Sequence, residues 1–366
     1  MAYTIGSAGS NQMATRPGAA RNVVRDAATS RLYAAWSGGT DTYQIYFATS
    51  DDDGETWDAA AITSAGYDQL SPSLAIDGDG VISVVWFASS TEFRGNSQGN
   101  INYRRYDGTW GAVEAVSAGD NEYIDAYPVC AVDSSGDVHV VWNGYGLGGN
   151  ADCINIYYRK RASGSWQSTA LVTDIDGVQQ EVALCIDADD GLHLAWGSQN
   201  FGVSDETPLG AHYQIVYSHN DGSGWGGVTQ ITDVMQNQWA PVVAVDGEGV
   251  VHIAWSANDA LIMHSVNLGA GSQISDSAWT HFHPSINVVD GQAQIVWAAL
   301  GSSWSSWALF YYGPQGAGRM MVAGNELRYP SLVPDENSLA WTQGSNVVYD
   351  GIKFIGGRGW GCLLSF

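Results

Sequence analysis

The most constraining feature of this sequence is a short apolar segment that ends in tryptophan and recurs along the chain. Seven copies end at Trp36, Trp86, Trp142, Trp196, Trp255, Trp297 and Trp341. Successive copies are 42 to 59 residues apart, which is the length of a four-stranded propeller blade. We therefore predict an all-β fold, a seven-bladed β-propeller of four-stranded antiparallel blades, with residues 1–366 forming a single domain.

The other strands of each blade can be placed around the tryptophan strand. An apolar strand that ends at an acidic turn comes before it, as in Pro72–Asp77 with the turn Asp77–Gly80. An aromatic strand such as Gln44–Phe47 follows it, and a glycine turn then leads to an outer strand. Asp and Gly are typical of the turns that join hairpin strands. Two closures of the ring stay open, because the last outer strand can come from Trp360–Phe366 or from residues 1–19.

The chain is strongly acidic. Its 38 Asp and Glu residues against 14 Lys and Arg residues give a formal net charge of −24. A surface of this charge repels phosphate backbones, so we expect no nucleic acid partner. We expect no membrane insertion either, because no apolar run is long enough to span a bilayer.

Targeting signals and bound groups are also constrained by the sequence. The N-terminal residues lack the basic and apolar regions of a secretory signal. We therefore expect a protein that is made in the cytoplasm and acts there, or leaves by lysis or in a virion. The cysteines at positions 130, 153, 185 and 362 have no metal-ligand spacing, and no phosphate-binding loop occurs. We predict neither a metal nor a cofactor.

One turn matches a known repeat motif. The segment Ser50–Trp57 fits the pattern Ser-x-Asp-x-Gly-x-Thr-Trp at every defined position, and Ser218–Trp225 is a degenerate copy. Through its repeats the chain resembles the sialidase-like propellers with Asp-box (BNR) motifs over nearly all of its length. The resemblance implies the propeller fold. It also implies that these turns lie between outer strands, away from the catalytic face of that family, where they have a structural role.

The two faces of such a propeller differ in this sequence. The loops before the inner strands and between the second and third strands open on one face, here called the top face. These loops are long and varied, which is typical of a site carried on a scaffold. They offer carboxylates, amides and aromatic rings, the mixture that binds sugar hydroxyls and sugar ring faces. We predict ligand contacts from Tyr127, Gln180, Gln238, Trp239, Trp304 and Arg328.

Two kinds of glycan chemistry are compatible with the top face. Asp68, Asp125 and Glu181 lie on three successive top-face segments and could supply the two carboxylates of a glycoside hydrolase. His281, His283 and Tyr329, together with Arg328, could supply the proton-abstracting base of a polysaccharide lyase. His139, His193 and His252 recur three residues before tryptophan, so we interpret them as part of the blade architecture.

Sialidase activity is not expected. The family resemblance implies that three arginines from separate blades hold the substrate carboxylate, a geometry that needs several guanidinium groups. No arginine occurs between Arg161 and Arg319, so three consecutive blades lack one.

These observations favour a non-catalytic propeller that recognises glycans, such as an adhesin or a component of a phage or virion. A glycoside hydrolase or polysaccharide lyase, but not a typical sialidase, is the first alternative. A platform for protein assembly partners is the second. The expected ligand is an oligo- or polysaccharide, for example a glycan of a host surface.

Overall fold

A computed structural model describes residues 2–9, 15, 21–89, 99–117, 126–199, 212–258, 260–301, 306–314, 316–324, 326–333 and 338–350 of the protein. The strands of these residues form seven separate antiparallel sheets. The predicted seven-bladed β-propeller of four-stranded blades is confirmed. None of the described residues forms a helix long and apolar enough to cross a membrane.

The strands follow one another blade by blade, and the first strand of the chain is β1 (Tyr3–Ser7). Blade 1 contains β2 (Val23–Arg25), β3 (Leu32–Gly38), β4 (Gln44–Ser50) and β5 (Asp58–Ala61). Blade 2 contains β6 (Gln69–Ile76), β7 (Ile82–Ser89), β8 (Gly99–Tyr106) and β9 (Glu114–Ala115). Blade 3 contains β10 (Ala126–Val132), β11 (Val138–Gly144), β12 (Asn155–Ala162), β13 (Ser165–Trp166) and β14 (Ala170–Leu171).

The remaining blades have the same plan. Blade 4 contains β15 (Gln179–Ile186), β16 (Leu192–Ser198), β17 (Gln214–Asn220) and β18 (Thr229–Gln230). Blade 5 contains β19 (Gln238–Val245), β20 (Val251–Ala257), β21 (Leu261–Val266) and β22 (Ser272–Gln273). Blade 6 contains β23 (Thr280–Val289), β24 (Gln292–Leu300), β25 (Trp307–Gly313) and β26 (Gly316–Gly324). Blade 7 contains β27 (Leu327–Leu332), β28 (Leu339–Gln343) and β29 (Asn346–Asp350).

The seven repeated tryptophans lie in the second strands and are the largest fully buried side chains of the described residues. Each sits in a hydrophobic cluster that joins two neighbouring blades, as Trp86 does with residues of β3 and β4. Burying an aromatic side chain of this size is among the largest hydrophobic contributions that one residue can make. The tryptophan repeat therefore both sets the blade period and stabilises the contacts between blades.

The ring closes through the N-terminal strand. Strand β1 pairs antiparallel with β29 and becomes the outer strand of blade 7. The indole Nε1 of Trp36 in blade 1 donates to the backbone oxygen of Ser7 at 3.0 Å, which ties the first blade to that outer strand. The other closure considered above, through Trp360–Phe366, lies outside the described residues.

The turn Ser50–Trp57, which resembles an Asp box, is held by hydrogen bonds between its own residues and packs against the neighbouring blade. Asp52 accepts hydrogen bonds from the Ser50 hydroxyl and from the Thr56 backbone and hydroxyl. The ring of Trp57 packs edge-on against Tyr349 of blade 7 at a centroid distance of 5.5 Å. Gly54 has φ = 86°, and a Cβ at this position would overlap the Tyr349 ring. The turn thus stabilises the contact between blades 1 and 7.

Candidate functional site

The strand register defines the top face. Gln69 at the start of β6 pairs with Ala88 near the end of β7, and Ala88 pairs with Asn100 at the start of β8. The start of the inner strand, the end of the second strand and the start of the third strand therefore meet on one side of the blade. The acidic turns and the Ser50–Trp57 turn lie on the opposite side, here called the bottom face.

Within the part of the chain that the structure describes, six inner strands carry a β-bulge near their top ends. The register shifts within β6, β10, β15, β19, β23 and β27. One residue at each shift has a left-handed φ between 46° and 57°, and we call these the bulge residues: Ser71, Tyr127, Glu181, Ala240, His283 and Tyr329. Five of the six precede a proline, which cannot donate to the strand ladder. A bulge redirects the side chain of the extra residue, so these positions are suited to carry a site.

Bulge residues of neighbouring blades contact one another. The Glu181 carboxylate of blade 4 accepts a hydrogen bond from the backbone N–H of Ala240 in blade 5 at 2.7 Å. The rings of His283 in blade 6 and Tyr329 in blade 7 have centroids 4.7 Å apart. These contacts join the bulge residues of blades 4 and 5, and those of blades 6 and 7, near the top ends of the inner strands.

Blades 6 and 7 form one group of candidate side chains. His283 is half-buried, and its backbone N–H donates to the Ser256 hydroxyl at 3.1 Å. The guanidinium of Arg328 lies over the ring of Trp307, 4.6 Å from its centroid. The imidazole of His283 and the phenol of the buried Tyr329 are thus in contact and could exchange protons, whereas the Arg328 guanidinium lies over the third strand of blade 6, where it could bind an anionic group.

Blades 4 and 5 form a second group, at which an aromatic pair meets a carboxylate. The rings of Tyr213 and Trp239 are 4.4 Å apart and tilted by 38°. Burial raises the pKa of the Tyr213 phenol, and the negative charge of Glu181 raises it further. The indole Nε1 of Trp239 is shielded from solvent and has no hydrogen-bond acceptor among the described residues. This group offers flat apolar surface and polar atoms together.

Two of the predicted site residues each accept a buried hydrogen bond from a tryptophan indole. Gln238 accepts from the indole of Trp255 at 2.7 Å, and His281 accepts from the indole of Trp297 at 2.8 Å. His281 is fully buried, its Nε2 faces Asp276 at 3.3 Å, and burial lowers the pKa of the imidazole. Both nitrogens of the His281 ring are thus engaged in the fold. The Gln238 amide is engaged as well, because its Nε2 donates to the backbone oxygens of Gln236 and Asn237.

The other predicted residues lie in different surroundings. Asp68 accepts a hydrogen bond from the backbone N–H of Tyr43 at 2.9 Å, as a loop cap does. Gln180 is half-buried beside the bulge of blade 4, and Tyr127 is the half-buried bulge residue of blade 3. Asp125 and Trp304 lie outside the described residues.

Sequence reasoning missed Tyr213. It comes just before β17 and was separated in the sequence from Trp239, the residue whose ring it contacts. A signal was present, because Tyr213 is an aromatic residue at the top end of a third strand. In the structure its backbone N–H donates to the Asn237 side chain, in the segment that leads to Trp239. Only the pairing of the two blades brings these residues together.

The described arginines are mostly remote from the top face. Four of them form ion pairs with exposed or half-buried carboxylates: Arg25 with Asp53, Arg31 with Asp51, Arg105 with Asp107 and Arg161 with Glu114. Arg21 lines a cavity of about 430 Å³ at the bottom of the channel, together with Cys130 and Cys185. Among the described arginine side chains, Arg328 is the one that lies beside a bulge residue at the top face. Arg319 lies on β26, so the expectation that three consecutive blades lack an arginine is wrong for blade 6 and holds for blades 4 and 5.

No protein-family model matches the sequence, and no curated protein matches it. Solved structures do match. An ulvan lyase from a new family of polysaccharide lyase, bound to -[GlcA(1-4)Rha3S]-, has a TM-score of 0.66 at 12% sequence identity, with 94% of each chain covered. Penicillium chrysogenum α-L-arabinanase complexed with arabinobiose has a TM-score of 0.54 at 13% identity, over 82% of this chain and 93% of that one.

A third match connects the fold to the resemblance found in the sequence. Trypanosoma rangeli sialidase in complex with the inhibitor DANA has a TM-score of 0.51 at 9% identity, over 81% of this chain and 54% of that one. At these identities the likeness shows the fold. The predicted resemblance to the sialidase-like propellers is confirmed at that level.

Proposed function

We propose that this propeller binds an oligo- or polysaccharide at the top of its central channel without cleaving it. The observation that carries the proposal is the chemical type of the side chains found at the bulge residues. Ser71 and Ala240 form the same left-handed bulge as the others, so a small side chain suffices for the backbone geometry. The other four bulge residues are an acid, an imidazole and two phenols, which the bulge itself does not require.

The surroundings of the bulge residues support a carbohydrate ligand. The Tyr213–Trp239 pair offers aromatic surface for the C–H face of a sugar ring, and Glu181 beside it offers an acceptor for hydroxyl groups. Two of the structural neighbours are carbohydrate complexes, an ulvan lyase with -[GlcA(1-4)Rha3S]- and an arabinanase with arabinobiose. These likenesses favour a sugar over other ligand classes.

Calorimetric titration with a panel of neutral and uronate-containing oligosaccharides tests the proposal. Trp239→Ala should weaken binding by about 2- to 13-fold, because an aromatic contact contributes about 0.5–1.5 kcal/mol. Ser71→Ala is the matched control, since it changes a bulge residue that has a small side chain, and it should bind as the wild type does. An unchanged melting temperature shows that both variants fold. The proposal fails if the wild type binds none of the panel, or if the two variants bind equally.

A second candidate function, a polysaccharide lyase, is favoured by the His283–Tyr329 pair. In β-elimination one of these residues would take the proton from C5 of a uronate. The electron pair would form the C4=C5 double bond, the C4–O4 bond would break, and the other residue would give a proton to the leaving oxygen. Arg328 would stabilise the charge on the uronate carboxylate. The 4.7 Å ring separation suits a shared reaction centre.

Ultraviolet absorbance of the unsaturated product separates the two functions. If the chain is a lyase, uronate polymers should yield this product, and His283→Ala and Tyr329→Phe should each reduce the rate by about 100-fold or more. No absorbance change with any uronate polymer that binds would favour binding alone. The predicted adhesin or virion role and the protein assembly partners stay predictions.

A further inference from the structure

A cluster of three metal-ligating side chains lies at the bottom of blade 4. One ligand atom each from Asp187, His193 and His219 lies within 4.8 Å of the other two. The Asp187 carboxylate and His193 Nε2 are 2.9 Å apart, and the two imidazole rings have centroids 4.4 Å apart. The second oxygen of Asp187 accepts from the backbone N–H groups of Asp189 and Gly191, which fixes the orientation of the carboxylate.

One nitrogen of this cluster is buried without a partner in the described part of the chain, and a glycine lies beside it. His219 Nε2 is shielded from solvent and has no hydrogen-bond partner among the described residues. A Cβ at residue 191 would lie 2.8 Å from this nitrogen and 2.6 Å from Asp187 Oδ2. The glycine therefore leaves free a space that any larger residue would fill. Since a buried nitrogen without a partner is costly, it calls for a ligand.

In blade 3 the residue equivalent to His219 is a lysine, Lys160, whose ammonium group lies beside the acidic turn. His139 pairs across the strands with Lys160, just as His193 pairs with His219. The ammonium of Lys160 lies 3.0 Å from Asp133 Oδ2 and 2.9 Å from Asp137 Oδ2. The repeat thus places positive charge beside the acidic turn.

Blade 4 keeps the aspartate and the first histidine but lacks this cation. Gly191 stands at the position of Asp137, and His219 stands at the position of Lys160. The exchange removes the fixed charge and supplies a nitrogen ligand instead. A bound metal ion would restore the positive charge beside Asp187.

We propose that Asp187, His193 and His219 bind a divalent transition metal, with Zn²⁺ as the best fit. Imidazole nitrogens and one carboxylate are typical Zn²⁺ ligands, and three protein ligands leave one coordination position open. Ca²⁺ and Mg²⁺ fit less well because they prefer oxygen ligands. The Tyr217 hydroxyl is 2.7 Å from His193 Nδ1, where it orients the ring as an outer partner of a metal-bound histidine does.

The sequence predicted no metal because the three residues lie 6 and 26 positions apart, without a recognised ligand spacing. His193 was interpreted as part of the blade architecture, and its hydrogen bond to Asp187 is consistent with that role. The proposed site goes beyond the carbohydrate function, because it lies on the bottom face and shares no residue with the bulges.

Zinc titration of the chelator-stripped protein, with Co²⁺ absorbance as a second readout, tests the site. The wild type should bind one Zn²⁺ through this cluster. His219→Ala should abolish that binding. Gly191→Ala should weaken it by at least 100-fold, because its methyl group would press against the two ligand atoms Asp187 Oδ2 and His219 Nε2. Tyr217→Phe should bind about 10- to 100-fold more weakly. Val266→Ala is the matched control, because Val266 pairs with His252 as His219 pairs with His193, and its zinc binding should be unchanged.

Two results would overturn the metal site: no zinc binding by the wild type, or a single zinc site that survives both His219→Ala and Gly191→Ala. Oligosaccharide titration of His219→Ala keeps the proposals separable, because loss of zinc should leave top-face binding unchanged. Failure of oligosaccharide binding with zinc binding intact would remove only the carbohydrate proposal.

Discussion

The indole of Trp297 donates a hydrogen bond to Nδ1 of His281 over 2.8 Å, deep in blade 6. An indole N–H can only donate, so Nδ1 must accept, and the proton of the neutral imidazole is on Nε2, which faces Asp276. Blades 2, 4 and 5 build the same contact with glutamine: Gln69, Gln179 and Gln238 each accept from the tryptophan of their own blade. His281 therefore substitutes for a glutamine in a repeated structural role.

Replacing His281 by glutamine should be nearly neutral. The side-chain oxygen can accept from Trp297 as it does in the other blades, so we expect a change below about 1 kcal/mol. His281→Leu leaves the buried indole N–H without an acceptor and should cost about 1–3 kcal/mol. Urea unfolding of both variants measures these differences. Equal loss of stability in the two would contradict the role assigned to His281.

The Glu181 carboxylate links blades 4 and 5 through the backbone N–H of Ala240. Glu181→Ala removes this acceptor and should destabilise the fold by about 1–3 kcal/mol, whereas Glu181→Gln keeps an oxygen and should cost less than about 1 kcal/mol. Denaturant unfolding provides the measurement.

The same variant also tests whether the chain hydrolyses glycosides with Glu181. Because the amide of Glu181→Gln cannot act as a general acid or base, glycosidase activity that survives this substitution would exclude Glu181 as a catalytic carboxylate.

The fold could be predicted because its main determinant is local and repeated. Trp86 and its six equivalents each mark a second strand, and the structure buries all seven. The ring closure could not be decided, since pairing of β1 with β29 joins the two ends of the chain and depends on long-range geometry. Local pattern does not report such contacts.

The candidate site could be predicted only by region. The top face follows from strand order, but the bulges arise from a register shift, for which prolines such as Pro284 were the visible hint. His281 and His283 looked alike in the sequence, yet one is fully buried against Trp297 and the other is a half-buried bulge residue. Two residues that straddle a bulge point in different directions, and sequence alone does not show where the bulge falls.

Two of the cysteines should be unreactive in the folded protein. Cys130 and Cys185 are buried beside the bottom cavity, and burial raises the pKa of each thiol to about 12. Because the thiolate is the reactive form, the double variant Cys153→Ser/Cys362→Ser should show almost no reaction with a disulfide reagent under native conditions. In urea it should release two equivalents of product. Rapid reaction of the native variant would contradict the burial of these residues.

The paired histidines of blade 5 should make the fold sensitive to acid. His252 Nδ1 and His264 Nε2 are 3.2 Å apart, and burial lowers the pKa of His264 to about 4, with the charge of His252 adding to the effect. An unfolded histidine titrates near pH 6.5, so below that pH the unfolded state binds more protons than the folded state.

The stability associated with His264 should therefore be complete above about pH 6.5 and fall as the pH approaches 4, by about 3 kcal/mol in all. Tyr158 and Tyr217 occupy the position of His264 in blades 3 and 4, where their hydroxyls contact His139 and His193. His264→Tyr removes the titrating group while keeping a partner for His252, so it should reduce the acid-dependent loss. Urea unfolding of both proteins across this pH range measures the difference, and an identical loss in the variant would show that other groups cause the acid sensitivity.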